Sequence, residues 1–256
     1  MIIAIDGLDG SGKETLCGVL ANKLQSDYDW DKVYIHSFPD YTVPSGKAIY
    51  EYLHNKSQSN IKWPEMLKKY ILCVAYAYNR AEHFSKFYRE TGIDMSNENG
   101  MHIFDRYWAS NILYQGVGSE TIEDVSNIVS MCMNLETNLG NPMPDLYYFL
   151  RVPYSILRQR LNERNDGDIN ESDSFQKAVY NFTETLINDY WHRDIVIPKP
   201  NLNFHYDGYV DGAKREEIIG LPRYKVFTPN EIAEEILKLS ESKLSCCGLS
   251  LKCPDK

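Results

Sequence analysis

Apolar residues recur in two rhythms along this chain. Short apolar-rich runs at residues 2–5, 32–38, 101–104, 146–152 and 223–227 predict strands. The run at 146–152 (LYYFLRV) is unbroken, as in parallel strands covered on both faces. Between these runs the spacing turns helical. One helix follows residue 13 and ends near Gln25, with Leu16, Val19, Leu20 and Leu24 on one side. Others are predicted over 45–54, 64–88, after Asp105-Arg106-Tyr107 through Tyr114, over 122–135, from Pro153, over 175–191 and from Pro229. The helix at 64–88 is apolar on most sides (Leu67, Tyr70, Ile71, Val74, Ala77, Ala81, Phe84), so it is expected to be buried, with Tyr78 as plain core. Residues 92–100 and 165–172 are polar and loop-like. Residues 195–222 read as irregular, with Asp207-Gly208 as a hairpin tip. Strands alternating with helices predict one α/β domain over 1–240, a parallel sheet of about five strands with helices on both faces, and 223–227 as its last strand.

The first run leads directly into Gly7-Leu8-Asp9-Gly10-Ser11-Gly12-Lys13, which is G-x-x-x-x-G-K between a strand and a helix. That context makes it a phosphate-binding loop: glycines let backbone N–H groups converge on phosphate oxygens, and the helix N-terminus faces the same anion. Lys13 adds a mobile positive charge. Ser or Thr is expected next, to ligate Mg²⁺, but here Glu14 follows, with Thr15 one place later. Glu14 either takes over the metal or points away.

Composition narrows the partners. The 256 residues carry a formal charge of −9, which disfavours gripping a nucleic-acid backbone. No apolar run approaches the roughly 18 residues of a membrane span. Cys17, Cys73 and Cys132 fall in apolar helical patterns, while Cys246, Cys247 and Cys253 lie in a tail, 241–256, expected to be disordered with free thiols. No C-x-x-C pair points to zinc, and a reducing cytoplasm is the expected compartment.

In order, the chain holds GLDGSGK, FPDY, a helical Tyr76-x-x-x-Arg80, DRYWASNILYQG, and PDLYYFLRV followed by R-x-x-x-R and D-x-x-E. This set resembles the thymidylate (dTMP) kinase family of P-loop nucleoside monophosphate kinases over residues 1–192 and 223–240. The resemblance implies a P-loop NTPase fold, ATP- and Mg²⁺-dependent conversion of dTMP to dTDP, and a homodimer. It implies that Gly7 to Thr15 hold ATP. Asp105 and Glu14 are its metal candidates, with helix capping the alternative for Asp105. Asp9 would meet the acceptor's 3′-hydroxyl or organise the metal; a plain Asp-Gly turn is the alternative. Arg106 would clamp the acceptor phosphate. Phe38, Tyr76, Arg80, Ser110, Asn111, Tyr114 and Gln115 would surround the pyrimidine deoxynucleotide. Tyr76 would stack on the base, Arg80 would hydrogen-bond it and Tyr114 would crowd the 2′ position. Arg160 and Arg164 resemble the catalytic arginines of a lid over about 160–172, with Asp168 and Glu171 as its acids. Their alternative is a solvated helix face.

Two departures stand out: Glu14, and Asp40-Tyr41 after Phe38-Pro39, where many relatives place an Arg near the acceptor phosphate. They keep open a kinase for another deoxynucleotide or deoxynucleoside, or an inactive nucleotide-binding protein.

Overall fold

A computed structural model describes residues 1–28, 30, 32–54, 64–95, 100–164, 172–186, 209–211, 213–218, 221–226 and 228–246. The element order is β1 (Ile2–Gly7), α1 (Lys13–Asp27), β2 (Val33–Ser37), α2 (Pro44–His54), α3 (Glu65–Thr91), β3 (Met101–Asp105), α4 (Trp108–Gly116) and α5 (Ile122–Asn138). Then follow β4 (Leu146–Arg151), α6 (Tyr154–Arg164), α7 (Asp173–Thr185), β5 (Tyr209–Asp211), β6 (Ala213–Ile218), β7 (Leu221–Val226) and α8 (Pro229–Cys246).

Five strands form a sheet in the order β2-β3-β1-β4-β5, with every pair parallel. All six residues of β1 are buried, as its central place requires. Helix α1 packs on α8, and α3, α4 and α5 pack together. Local chemistry sets several boundaries. Thr121 and Asp124 form a reciprocal capping box on α5. Gly92 ends α3 in the left-handed conformation, its N–H donating to Tyr88 O.

Because all five strands run the same way, the ends of β1, β2 and β3 open on one edge, where ligands bind in open α/β sheets. The phosphate-binding loop, Phe38 and Asp105-Arg106 leave from that edge.

Four expectations need correction. Residues 223–227 do not extend the parallel sheet: β7 pairs antiparallel with β6, and the fifth parallel strand is β5. Residues 195–222 are therefore not wholly irregular; Asp207-Gly208 lie outside the described residues. Helix α8 runs to Cys246, so the tail is helical at its start. Helix α3 is not buried all round: Leu67, Ile71, Val74 and Tyr78 are exposed at 38%, 47%, 44% and 52%, a stripe at helical spacing. Tyr78 is thus not core.

Candidate active site

The chain folds back on itself after β1 to form the loop. Ser11 N–H donates to Leu8 O (3.1 Å) and Leu16 N–H to Gly12 O (3.0 Å). Gly12 sits in the left-handed region at φ 91° at the head of α1, a conformation that side chains rarely adopt. The Lys13 ammonium donates to Leu8 O at 2.8 Å and Ser11 Oγ at 3.3 Å. Burial, then Arg106, pull its pKa down to about 8 against Asp9, Asp105 and Asp6. It is still mostly charged at neutral pH. Glu14 and Thr15 are exposed on the first turn of α1.

All nine residues expected on the acceptor side line one open cavity of about 100 Å³: Asp9, Phe38, Tyr76, Arg80, Arg106, Ser110, Asn111, Tyr114 and Gln115. Pro39, Tyr41, Leu53 and Tyr107 complete its wall. At one end Asp9 is the hub. Its carboxylate accepts from the Arg106 guanidinium, from Tyr114 OH at 2.5 Å and from Gln176 Nε2 at 2.9 Å. Burial would raise the Asp9 carboxyl, but Arg106, Lys13, Tyr114 and Gln176 outweigh it and hold it well below the usual carboxylate range. Asp9 is thus more than a turn residue. Arg106 occupies the left-handed region at φ 66°, rare for a side-chain-bearing residue and typical of positions where structure is strained for use. Its backbone N–H is fixed by Ile5 O at 2.9 Å.

Deeper in the cavity, Arg80 is 2% exposed and Glu136 fully buried. Arg80 Nε lies 3.1 and 3.0 Å from the two Glu136 oxygens, and Nη2 donates to the same carboxylate. The guanidinium also lies over the Tyr107 ring, 5.3 Å from its centroid. Burial would lower the Arg80 pKa, but Glu136 outweighs it and keeps the cation. One edge, Nε and Nη2, is committed to Glu136, and the Arg80 side chain still lines the cavity. Asn111 donates to Cys73 O at 3.2 Å, while its Oδ1 is buried without a hydrogen-bond partner. That oxygen suits a donor on a bound base. Ser110 is engaged elsewhere: its hydroxyl donates to Asp6 Oδ1.

Asp105 does not cap α4, whose N-cap residue is Tyr107. Its carboxylate is buried, and Oδ1 has no hydrogen-bond partner. Burial, with Asp6 and Glu14 nearby, raises its pKa against Lys13 and Arg106. Such an orphaned acid beside a phosphate loop fits a cation. Among the described residues no three His, Cys, Asp or Glu are placed to hold a metal alone. Mg²⁺ needs no such cage, since one or two carboxylates plus substrate phosphates usually bind it.

Arg160 lies on the loop itself, its Nη1 donating to Gly10 O and Ser11 O, both at 3.0 Å. The Arg164 side chain, Asp168 and Glu171 lie outside the described residues. Asp40, in the second departure, turns its carboxylate to Thr42 and His83, while Tyr41 lines the cavity.

Sequence reasoning missed Asp6, Glu136, Tyr147 and Gln176. Asp6 is fully buried and accepts from Tyr107 N–H at 3.1 Å, Ser110 Oγ and Tyr147 OH. A carboxylate at the end of an apolar strand was its signal. Glu136 falls on the buried stripe of Val125, Val129 and Cys132, where an acid needs a partner.

Comparison with known proteins gives the family and the fold. The family model described as thymidylate kinase matches residues 5–200. The thymidylate kinase of Finegoldia magna is 27% identical over 225 residues, covering 86% of this chain and 100% of that protein. That of Danio rerio is 27% identical over 190 residues, covering 73% and 77%. Among solved structures, a thymidylate kinase from Candida albicans superposes with a TM-score of 0.57 at 22% identity, covering 98% of this chain and 96% of that one. One from Ehrlichia chaffeensis gives 0.53 at 19%, covering 94% and 98%. At these identities the structural matches speak for the fold.

Proposed function

Because this chain belongs to the thymidylate kinase family, matched over residues 5–200, we propose that it transfers the γ-phosphoryl group of ATP to dTMP, giving dTDP and ADP. One observation carries the reading: nine side chains suited to a pyrimidine deoxynucleotide share a cavity whose Asp9–Arg106 end lies within electrostatic reach of Lys13.

Phosphoryl transfer asks mainly for alignment of two anions and neutralisation of the moving charge. The loop amides and the N-terminus of α1 receive the ATP phosphates, and Lys13 follows the transferred group. Arg106 shares its guanidinium between Asp9 and the acceptor phosphate. Tyr76 and Arg80 hold the base, with Asn111 Oδ1 accepting a base N–H. Burial and Asp9 push the Tyr114 phenol pKa upward, so it stays protonated as a donor. Arg160, already on the loop carbonyls, is near enough to add charge as transfer proceeds.

Asp105, with Glu14 near it, would hold Mg²⁺, which would supply positive charge against the phosphates during transfer. The exposed stripe Leu67, Ile71, Val74 and Tyr78 supports a homodimer in which α3 meets its copy. The buried free thiols of Cys17, Cys73 and Cys132 suit the reducing cytoplasm. Among the described residues no helix is long and apolar enough to cross a membrane.

The test is an ADP-release assay with ATP, Mg²⁺ and dTMP, beside dUMP, dCMP and thymidine, for the unaltered protein and Arg80→Ala. The reading expects preference for dTMP, lost in the variant. ATP binding without preference for dTMP over the other acceptors would sink it.

A further inference from the structure

Three histidines that phosphoryl transfer does not use form a chain behind the acceptor cavity. His83 Nδ1 lies 2.7 Å from Asp40 Oδ2. His83 Nε2 lies 2.9 Å from His36 Nδ1, and His36 Nε2 lies 3.0 Å from His102 Nδ1. The last nitrogen, His102 Nε2, is buried with no hydrogen-bond partner. Around His36 stand the rings of Phe84, Phe87 and Phe104. The charged groups facing the chain are Asp40 at one end, the Met1 amino group at the His102 end, and Lys86, which donates to Thr42 Oγ1 beside Asp40.

Asp40 stands between Pro39 and Tyr41, and both line the cavity. Its backbone N–H donates to Asn79 Oδ1 at 2.8 Å, and its carbonyl accepts from Asn79 Nδ2 at 3.0 Å. The Cβ of an alanine at position 46 would fall 1.8 Å from Asp40 O, so α2 is seated directly on this residue. Asp40 is therefore the point at which the loop is fastened.

We propose that Asp40–His83–His36–His102 is a proton-ordered strut, with all three imidazoles protonated on Nδ1, and that it positions the Pro39–Tyr41 wall of the acceptor site. The positioning half rests on the reading of that cavity given above. The proton order follows from counting donors. A carboxylate only accepts, so His83 Nδ1 carries hydrogen. Neutral His83 then accepts at Nε2 from His36 Nδ1–H, and His36 accepts at Nε2 from His102 Nδ1–H. His102 Nε2 is left bare, matching its lack of a partner. The opposite order would make His83 an imidazolium and leave a His102 N–H buried without an acceptor, which is unfavourable. Burial, followed by His83 and His102, lowers the His36 pKa to about 3; burial and the N-terminus lower that of His102 to about 4. His36 and His102 thus each have one proton to place near neutral pH.

The test has two arms. Nitrogen-15 imidazole spectra of histidine-labelled protein at neutral pH are expected to show Nδ1–H tautomers for His36, His83 and His102, assigned by single substitutions. An Nε2–H tautomer at His36 or His102 overturns the proton order. In the second arm, His83→Phe keeps a ring among its aromatic neighbours but removes both hydrogen bonds, and Asp40→Asn removes the charge. Both are expected to raise KM for dTMP about three- to tenfold, with kcat and KM for ATP within about twofold. A KM for dTMP unchanged in both variants, with unaltered kcat, overturns the positioning role. No turnover of dTMP by the unaltered protein would defeat the acceptor assignment instead, and the imidazole spectra would still decide the strut.

Discussion

Removing the Glu136 carboxylate is the sharpest perturbation this architecture offers. Glu136 is fully buried, Arg80 is 2% exposed, and the carboxylate also accepts from Asn141 Nδ2 at 2.7 Å. In Glu136→Ala the guanidinium stays in a low-dielectric site without its counter-charge, and the Asn141 amide loses an acceptor. Breaking a buried pair from one side costs about 3–5 kcal/mol. For chains of this size each kcal/mol shifts the midpoint by about 2–4 °C, so the variant should melt about 6–20 °C lower. Removing both charges, as in Arg80→Met with Glu136→Leu, should restore most of that loss, since apolar replacements of buried pairs are often neutral or better. The double variant should still lose its preference for dTMP, because Arg80 is gone from the cavity. Thermal denaturation by circular dichroism and the acceptor panel measure the two effects. A drop under about 1 kcal/mol in Glu136→Ala would refute the assigned burial of charge, and so would a double variant as unstable as the single one.

Other expectations follow from the same geometry. Lys13→Met should lower kcat about 10²–10³-fold in steady-state assays, as loss of a charge-stabilising donor does. In the unaltered protein kcat/KM for ATP should fall as pH rises through about 8, where Lys13 loses its proton. Between that pH and 10.5 the unfolded chain binds this proton and the folded one does not, so the Lys13 contribution to stability grows with pH there, and Lys13→Met should abolish that slope in urea titrations. Asp105→Asn should raise the melting temperature at neutral pH while removing turnover, because an acid with a raised pKa destabilises the fold when ionised; an unchanged or lower midpoint would count against its burial. Val74→Glu, in the exposed stripe of α3, should shift sedimentation to a monomer, and a single species unaffected by the change would argue against association through that stripe.

What the sequence disclosed was the chemistry carried by local order. Loop, strand edge and helix spacing were legible because glycine, lysine and i, i+4 pairs act within a few residues. The β6–β7 hairpin was misread for a physical reason. Residues 223–227 alternate polar and apolar, the mark of a strand with one exposed face, and β6 is mostly charged (AKREEI). Neither run suits a sheet covered on both sides. The breadth of apolar positions on α3 suggested burial, but the same breadth also describes a helix that packs on one side and leaves a stripe exposed on the other. The Arg80–Glu136 pair joins residues 56 apart in sequence, and no local pattern announces such a partner. An acid on an apolar stripe says only that a partner must exist.

Strand β1 lies between β3 and β4, so both of its sheet neighbours are made well after it. Ile2 N–H is held by Asp145, 143 residues on, and the Asp9 hub waits for Gln176, 167 residues on. Contacts this distant close slowly, and loop closure must precede their reward. A ribosome releasing this chain therefore exposes an apolar, acid-tipped strand until β3 and β4 have emerged. Activity should be absent from nascent chains until α7 has emerged, however complete the phosphate loop already is.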